Sequence, residues 1–201
     1  CGIRDYVVTG VQTCALPILK DKIQEKLGSE YVVELAMRYQ NPSLKYGLEK
    51  LVKKDVSRII ALPLYPHFAS STTLSTTKKI DKLKIKMNGI PNIVHIGQFY
   101  DHPLFIKSWV NQISKHNLES YDHLLFSFHG LPERHLAKEH VSGDCEQDHC
   151  TTEINKANKT CYKATCYATV RLIASAMNLK EEYYTVCFQS RLGKDPWIQR
   201  S

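Results

Sequence analysis

The sequence lacks several features that would identify common classes of protein. No apolar run approaches the roughly 20 residues that a transmembrane helix needs. There is no glycine-rich loop of the kind that binds phosphate groups, and no low-complexity segment. Apolar residues make up 43% of the chain and charged residues 23%, which is ordinary for a globular enzyme. The 201 residues are enough for one large or two small domains.

Acidic residues are the minority among the charged ones, with 20 Asp and Glu against 27 Lys and Arg. The resulting net charge of +7 agrees with a nucleic acid, an anionic membrane or an acidic ligand, and does not choose among them. The densest basic stretch runs from Lys78 to Lys86 and contains no aromatic residues that could stack on bases. It predicts a solvated helix face, with a membrane-facing patch as the alternative, and gives no indication of nucleic-acid binding.

Both ends lack the features of natural termini. There is no initiator Met, residues 8–18 read like a translated short-read sequencing adapter, and Arg200–Ser201 fit the first codons of the opposite adapter. A genuine apolar N-terminus or a weak signal peptide is the alternative, but a basic n-region and a small-residue cleavage site are missing. We therefore expect residues 1–18 to be an artefact, and the remaining chain to be an internal piece of a longer protein.

From residue 31 onward, strand-like apolar runs alternate with amphipathic helices. Strands are predicted at 31–37, 57–65, 93–96, 123–128 and 183–188, and helices after Pro42, over 71–87 and 103–116, and around 167–177. This alternation predicts an α/β fold with parallel sheets in two Rossmann-like lobes, 19–117 and 118–201. Ligands of such folds bind beyond the carboxyl ends of the strands, here segments 65–73 and 129–134.

His129 is the first candidate for chemistry, because it directly follows a buried strand and precedes a Gly-Leu-Pro turn. A strand end of this kind holds a side chain rigidly over a cleft. A histidine there can ligate a metal or act as a base near neutral pH, since its unperturbed pKa is about 6.5. A purely structural histidine is the alternative.

Four segments resemble the ferrochelatase family, and they occur in the family's order. Ser127–Pro132 resembles the signature Ser-x-His-[Ser/Gly]-[Leu/Ile]-Pro, and residues 62–73 resemble the Pro-x-Tyr-Pro loop that ends in Ser-Thr-Thr. Arg38–Tyr39 resembles an Arg-Tyr pair, and Phe188–Trp197 a Gln-Ser…Pro-Trp stretch. The resemblance implies a two-lobed chelatase, a lyase that inserts Fe²⁺ into protoporphyrin IX or coproporphyrin III during haem biosynthesis.

The resemblance also implies a role for each site residue. His129 would remove pyrrole protons and deliver ferrous iron, and the porphyrin would contact Arg38, Tyr39, Tyr65, Phe68, Ser71, Arg191 and Trp197. Bidentate contacts to propionates suit the two arginines. For the aromatics, core packing is an equal alternative, and His67 stands where the family often has Gln. The implied partners are porphyrin and ferrous iron, in the cytoplasm, with peripheral membrane attachment as an alternative.

One family residue has no counterpart in this sequence. The resemblance places an essential glutamate downstream of the Pro-Trp stretch, opposite His129, where it helps to move protons and iron. Nothing between Ile198 and Ser201 can replace it, and Glu133 is a remote substitute. We therefore expect the chain alone to be inactive.

Four cysteines crowd into a segment of 22 residues, which we interpret as an insertion over 144–166: Cys145, Cys150, Cys161 and Cys166. Disulfides do not suit a cytosolic enzyme. The four-residue gaps favour a [2Fe–2S] cluster, which several ferrochelatases carry, over zinc, whose sites usually show tighter Cys-x2-Cys pairs. If Cys161 and Cys166 share one site, Cys161 must lie in the loop or in a distorted first turn. Cys187 is predicted to be a buried apolar residue.

Two other functions remain open from the sequence. One is a related chelatase that inserts cobalt or nickel into another tetrapyrrole, although the match at 188–197 argues against it. The other is a non-catalytic iron–sulfur or zinc module whose α/β body is only a scaffold. The choice between the two porphyrins and the oligomeric state are not encoded in any motif.

Overall fold

The strands of the protein pair in two small parallel sheets, with helices between successive strands. The computed structural model describes residues 2–140, 142–191 and 194–198. Strand β1 (Arg58–Ala61) pairs with β2 (Asn92–His95), and β3 (Leu124–His129) pairs with β4 (Tyr184–Gln189). The helices are α1 (Gly2–Leu27), α2 (Leu44–Lys53), α3 (Ser75–Lys86), α4 (Pro103–Ile113), α5 (Glu133–Leu136) and α6 (Tyr162–Ala176). The predicted α/β class with parallel sheets is confirmed.

The chain divides into two compact units. The first comprises Cys1–Leu62 and Thr76–Ile96, and the second comprises Pro63–Ser75 and Gly97–Ser201. The predicted division near residue 117 falls inside the second unit. Segment 63–75 joins this unit because Phe99 N–H donates to the Pro66 carbonyl at 2.9 Å, and α4 joins it by packing on α6. The candidate loop 65–73 therefore shares a unit with His129.

The first unit is built around β1, α2 and α3. Its core consists of Leu48, Ile59 and Leu83, one from each element. Helix α2 begins after Ser43, whose hydroxyl accepts the Tyr46 N–H at 3.2 Å and satisfies one free donor of the first turn. The lysines of α3 are all exposed, as predicted for a solvated face: Lys78, Lys79, Lys82, Lys84 and Lys86.

The predicted strand at 31–37 is wrong. Residues 31–36 have no regular structure, and Met37 makes only an isolated bridge, donating its N–H to the Pro42 carbonyl at 2.7 Å. An apolar run becomes a strand only where a neighbouring strand pairs with its backbone. Within the described ranges no strand lies beside this run.

The core of the second unit lies where the cysteine segment packs against the residues that follow β3. Ala69, Leu131 and Leu136 pack in one cluster with Cys150 and Cys161. Helix α6 contributes the fully buried Val170. The cysteine segment is therefore part of the hydrophobic core of this unit rather than a surface appendage. Among the helices that the structure describes, none has the length and apolar character required to cross a bilayer.

Candidate active site and metal centre

His129 is the last residue of β3, and its side chain is exposed. Exposed and half-buried residues alternate along β3, because successive side chains of a strand point to opposite faces. The residue pairs in register with Gln189 of β4. The predicted position of His129 at a strand end is thus confirmed, and its imidazole is accessible to a ligand.

The turn after His129 is held by the segment that follows β4. Gly130 N–H donates to the Gln189 carbonyl at 2.6 Å, and the Leu131 carbonyl accepts the Ile198 N–H at 2.9 Å. The Trp197 ring stands perpendicular to the His129 ring, with centroids 6.2 Å apart. Two of the four motifs, distant in sequence, therefore meet at the catalytic candidate.

Gly130 allows this close approach. A Cβ atom at this position would lie 3.1 Å from the Gln189 carbonyl oxygen and 3.2 Å from that of Ser190. Both contacts are tighter than most Cβ contacts in proteins, and both neighbours are backbone atoms. A glycine here lets the two segments run side by side.

Tyr162, in the first turn of α6, supports His129 from the other side. Its hydroxyl donates to the His129 carbonyl at 2.9 Å. Burial raises the pKa of the Tyr162 phenol, so it stays a neutral donor. The backbone of His129 is therefore fixed by α6, while its imidazole remains exposed.

The 65–73 loop presents a mixed surface. Tyr65 is 39% exposed, Phe68 is half-buried and Ala69 is buried in the core. Ser71 is half-buried in a single turn of π-helix over Ser70–Leu74, just before α3. Ser70 N–H donates to a Glu139 carboxylate oxygen at 3.0 Å. The loop is thus tied to the chain just before the cysteine segment.

The remaining predicted substrate residues are divided between the units. Arg38 and Tyr39 belong to the first unit, where the guanidinium carbon lies 4.4 Å from the centre of the Tyr39 ring. Arg191 belongs to the second unit and is exposed. Parts of the 188–197 motif, Leu192 and Gly193, lie outside the described residues.

His67 is buried behind the site. Its Nε2 lies 3.0 Å from the Thr169 hydroxyl oxygen, and the carbonyl oxygens of Tyr100 and Thr165, which can only accept, both lie 3.1 Å from the same hydroxyl. The hydroxyl proton is thus committed elsewhere, so His67 Nε2 carries the proton and donates to Thr169. Its ring also meets Phe128 edge-on at 5.4 Å. Burial lowers the pKa of His67 to about 4.

The buried His67 should make folding stability depend on pH. The unfolded chain takes up a proton near pH 6.5, whereas the folded chain resists it until about pH 4. The stability is complete above pH 6.5 and falls as the pH drops through this window. The full loss is about 3 kcal/mol. Denaturant unfolding at pH 7 and pH 4.5 should show the decline in the protein and a much smaller one in His67→Gln.

An exposed histidine provides the matched control for this prediction. His116 lies just beyond α4 and is exposed. His116→Gln should keep the pH dependence of the unmodified protein. An equal slope in His67→Gln and His116→Gln would show that His67 is not its source.

An apolar pocket of about 560 Å³ lies along β3 in the second unit. It is lined by all six residues of β3 together with Phe105 and Trp109 of α4 and Ile173 of α6. Of the predicted site residues, only His129 contributes to it. Within the described ranges β3 pairs with β4 alone, so the pocket runs along the unpaired edge of the strand.

A second cluster of reactive side chains lies in the cysteine segment. Sulfur atoms of Cys145, Cys150 and Cys161 and a ring nitrogen of His140 all lie within 4.8 Å of one another. Cys145 Sγ lies 3.9 Å from Cys161 Sγ and 3.3 Å from His140 Nε2, and Cys150 Sγ lies 3.7 Å from the same nitrogen. Three thiols and an imidazole are a donor set that binds zinc or iron.

Local turns bring these ligands together. Cys150 N–H donates to the Cys145 carbonyl at 3.0 Å, and His149 takes a positive φ of 55° that closes the turn. The buried Asn158 side chain donates to the carbonyls of Asp148 at 2.7 Å and Glu153 at 3.0 Å. It thereby fixes the stretch between the second and third cysteine, which has no regular secondary structure.

Cys166 does not join this group. Cys161 is the N-cap of α6, as the sequence required for a ligand, but Cys166 lies five residues further, inside the helix. Positions i and i+5 point about 140° apart on a helix. Cys166 is fully buried, and its sulfur is not part of the group of donor atoms that lie within 4.8 Å of one another. Cys187 in β4 is half-buried, close to the predicted apolar role. All five described cysteines are free thiols.

Sequence reasoning missed His140 and Asp148. Asp148 Oδ2 accepts a hydrogen bond from His140 Nδ1 at 2.7 Å, and this bond lowers the pKa of Asp148. A signal for His140 was present, because the spacing of four residues between Cys145 and Cys150 repeats once upstream, from His140 to Cys145. Asp148 had no such signal.

The three thiols strongly affect one another's ionisation. Hydrogen bonds from Cys150 and Cys161 lower the pKa of Cys145, whereas the contacts with Cys145 raise the pKa of Cys150 and of Cys161. Cys145 is therefore the thiol of this cluster that ionises most easily. A bound cation would favour the thiolate form of all three and so oppose the raised pKa of Cys150 and Cys161.

Comparison with known proteins agrees with the motifs. Residues 17–201 match the family model described as Ferrochelatase. A ferrochelatase of Coxiella burnetii (strain Dugway 5J108-111) is 38% identical over 185 residues, which are 90% of this chain and 51% of the relative. One of Legionella pneumophila (strain Paris) is 40% identical over 181 residues, 90% of this chain and 53% of the relative. This chain therefore spans about half the length of the curated relatives that it matches.

Proposed function

This chain belongs to the ferrochelatase family, and we propose that the full-length protein of which it is a part inserts ferrous iron into a porphyrin to form haem. The reaction makes metal–nitrogen bonds, which would class the enzyme as a lyase. The observation that carries the proposal is the exposed His129, at the end of β3, braced by the 189–198 segment. That segment holds another family motif.

The chemistry proposed for His129 follows from its surroundings. Its imidazole is exposed, so it can accept a pyrrole proton or hand a ferrous ion to the macrocycle. Its backbone is held by Tyr162 and Gly130, so the ring is presented from a fixed strand end. Trp197 offers an aromatic wall beside it.

The other proposed substrate contacts rest on the family motifs. Tyr65, Phe68 and Ser71 lie in one loop of the second unit and are at least partly accessible. Arg191 is exposed and can meet a carboxylate with two parallel hydrogen bonds. Arg38 and Tyr39 are proposed to serve the same substrate from the first unit.

We further propose that the catalytic acidic partner lies downstream of the Pro-Trp stretch and that residues 1–201 alone do not turn over. In the part of the second unit that the structure describes, Glu133 is the first residue of α5. Its N–H donates to the Pro196 carbonyl at 3.0 Å. Its backbone thus has a structural role.

Location in the cytoplasm is part of the proposal and agrees with the free thiols. Peripheral membrane attachment through the lysines of α3 is the alternative.

For the cofactor we propose a metal centre on Cys145, Cys150 and Cys161. The sequence favours a [2Fe–2S] cluster completed by Cys166, with zinc as the alternative. These two versions differ in the distances that the donors must span. The convergence of the three thiols supports a metal centre of either kind, and the donor geometry favours zinc.

An anaerobic insertion assay tests the proposed activity. The full-length protein is incubated with ferrous iron and protoporphyrin IX or coproporphyrin III, and porphyrin fluorescence is followed as the metal enters. We expect iron-dependent quenching with formation of the haem spectrum. Turnover only with cobalt or nickel and another tetrapyrrole would identify the related chelatase instead. Absence of any tetrapyrrole binding would identify a metal-binding module.

A further inference from the structure

We propose that His140 is the fourth ligand of the metal centre and that the centre holds a single zinc ion, with Cys166 outside the ligand set. The ligands are then Cys145, Cys150, Cys161 and His140. The proposal deepens the metal centre of the proposed function but does not depend on which metal the active site inserts. It replaces the four-cysteine cluster that the sequence favours.

The distances between donor atoms carry the first step. Zinc–sulfur bonds of about 2.3 Å in a tetrahedron place neighbouring sulfur atoms ~3.8 Å apart. The Cys145–Cys161 separation is 3.9 Å, and the separations of His140 Nε2 from the sulfurs of Cys145 and Cys150 are 3.3 and 3.7 Å. These separations match the edge lengths of a single tetrahedron of ligands around one ion.

A two-iron cluster requires a wider arrangement. Each of its irons takes two protein ligands, so ligands on opposite irons are separated by more than one tetrahedral edge. In this protein no two of the four donor atoms are more than 4.8 Å apart. The donors leave room for a single ion between them.

The surroundings of His140 are those of a metal-binding histidine. Its side chain is fully buried, and Nδ1 is held by Asp148 at 2.7 Å. A carboxylate on the far nitrogen fixes the tautomer and the ring orientation, and leaves Nε2 free to face the ion. Nε2 is the nitrogen closest to the two sulfurs of Cys145 and Cys150.

The ligand set has four protein donors and no open position, which is typical of a structural zinc site rather than a catalytic one. The site also lies in the core of the second unit, where Cys150 and Cys161 are completely buried. Because Cys166 projects from a different side of α6, it cannot replace His140 without unwinding the first turn of the helix.

The test measures bound metal directly. The full-length protein is purified, and zinc, iron and acid-labile sulfide are determined per chain, together with His140→Ala, Cys150→Ser and Cys166→Ser. We expect one zinc and no labile sulfide, a loss of zinc affinity of at least tenfold in His140→Ala and Cys150→Ser, and full retention in Cys166→Ser. Asp148→Asn should weaken zinc binding 10- to 100-fold.

Two further measurements make the result decisive. His140→Cys should bind zinc again, which separates ligation from simple misfolding of His140→Ala. In the cobalt-substituted protein, His140→Cys should strengthen the thiolate-to-cobalt absorption, while Cys166→Ser should leave it unchanged.

Two outcomes would overturn the proposal. One is a protein with two irons and two sulfides per chain, which are lost in Cys166→Ser and retained in His140→Ala. The other is a protein that binds no metal at all. The insertion assay reports separately on the proposed activity. A protein with the zinc centre but no iron insertion would refute the proposed function alone.

Discussion

Replacing His129 with alanine in the full-length protein should reduce iron insertion by a factor of about 10² to 10⁴, the range for loss of a general base. The imidazole is exposed at the end of β3, and no neighbouring side chain of that strand can take over its proton transfer. Porphyrin binding should persist, because the flat and charged contacts proposed for the substrate come from other residues. Turnover measures the loss of iron insertion. Quenching of the protein's own fluorescence by bound porphyrin measures porphyrin binding.

The control for this variant is His123→Ala. His123 directly precedes β3, six residues before His129, and its Nε2 lies 2.8 Å from the Thr185 hydroxyl oxygen. The variant loses a histidine of the same unit without touching the strand end. It should retain most of the activity. Wild-type turnover in His129→Ala would remove His129 from the mechanism.

Removing the metal from the cysteine segment should lower the free energy of unfolding by several kcal/mol, because four ligands in the core lose their common partner. Without the ion, three thiols and a buried imidazole face one another with no cation between them. Thermal unfolding with and without a strong chelator measures the effect. The midpoint should fall on chelation and recover when zinc is added back.

Two variants control for unspecific effects of the chelator. Cys187→Ser keeps the proposed ligand set and should respond to chelation like the unmodified protein. Cys150→Ser has lost one ligand and binds zinc more weakly, so the chelator should lower its midpoint by less than that of the unmodified protein. An unmodified protein that unfolds at the same temperature with and without metal would contradict a structural centre.

Much of the fold was predictable, because the signals were local. The apolar runs at 123–128 and 183–188 formed β3 and β4, and the helix-spaced leucines at Leu44, Leu48 and Leu51 formed α2. The run at 31–37 carried the same kind of signal but formed no strand. Its outcome depends on whether another strand lies beside it, which no single segment encodes.

The candidate site was predictable where a motif covered it. His129 and Trp197 stand in two motifs, and the structure brings them together. The contribution of Tyr162 was hidden, because it acts through a hydroxyl on a backbone carbonyl from a helix 33 residues away in sequence. His140 was hidden because a histidine at this spacing does not continue the cysteine pattern. The choice between His140 and Cys166 is made by the direction of side chains around α6.

Gly130 has a consequence for related sequences. The family signature allows serine at this position, and its Cβ would press on two carbonyl oxygens and approach the Trp197 ring to 3.4 Å. A relative with serine must therefore separate these segments by a few tenths of an ångström. The distance between the histidine and tryptophan rings should thus differ between glycine- and serine-containing members. In this protein that distance is set by Gly130, a residue that has no side chain.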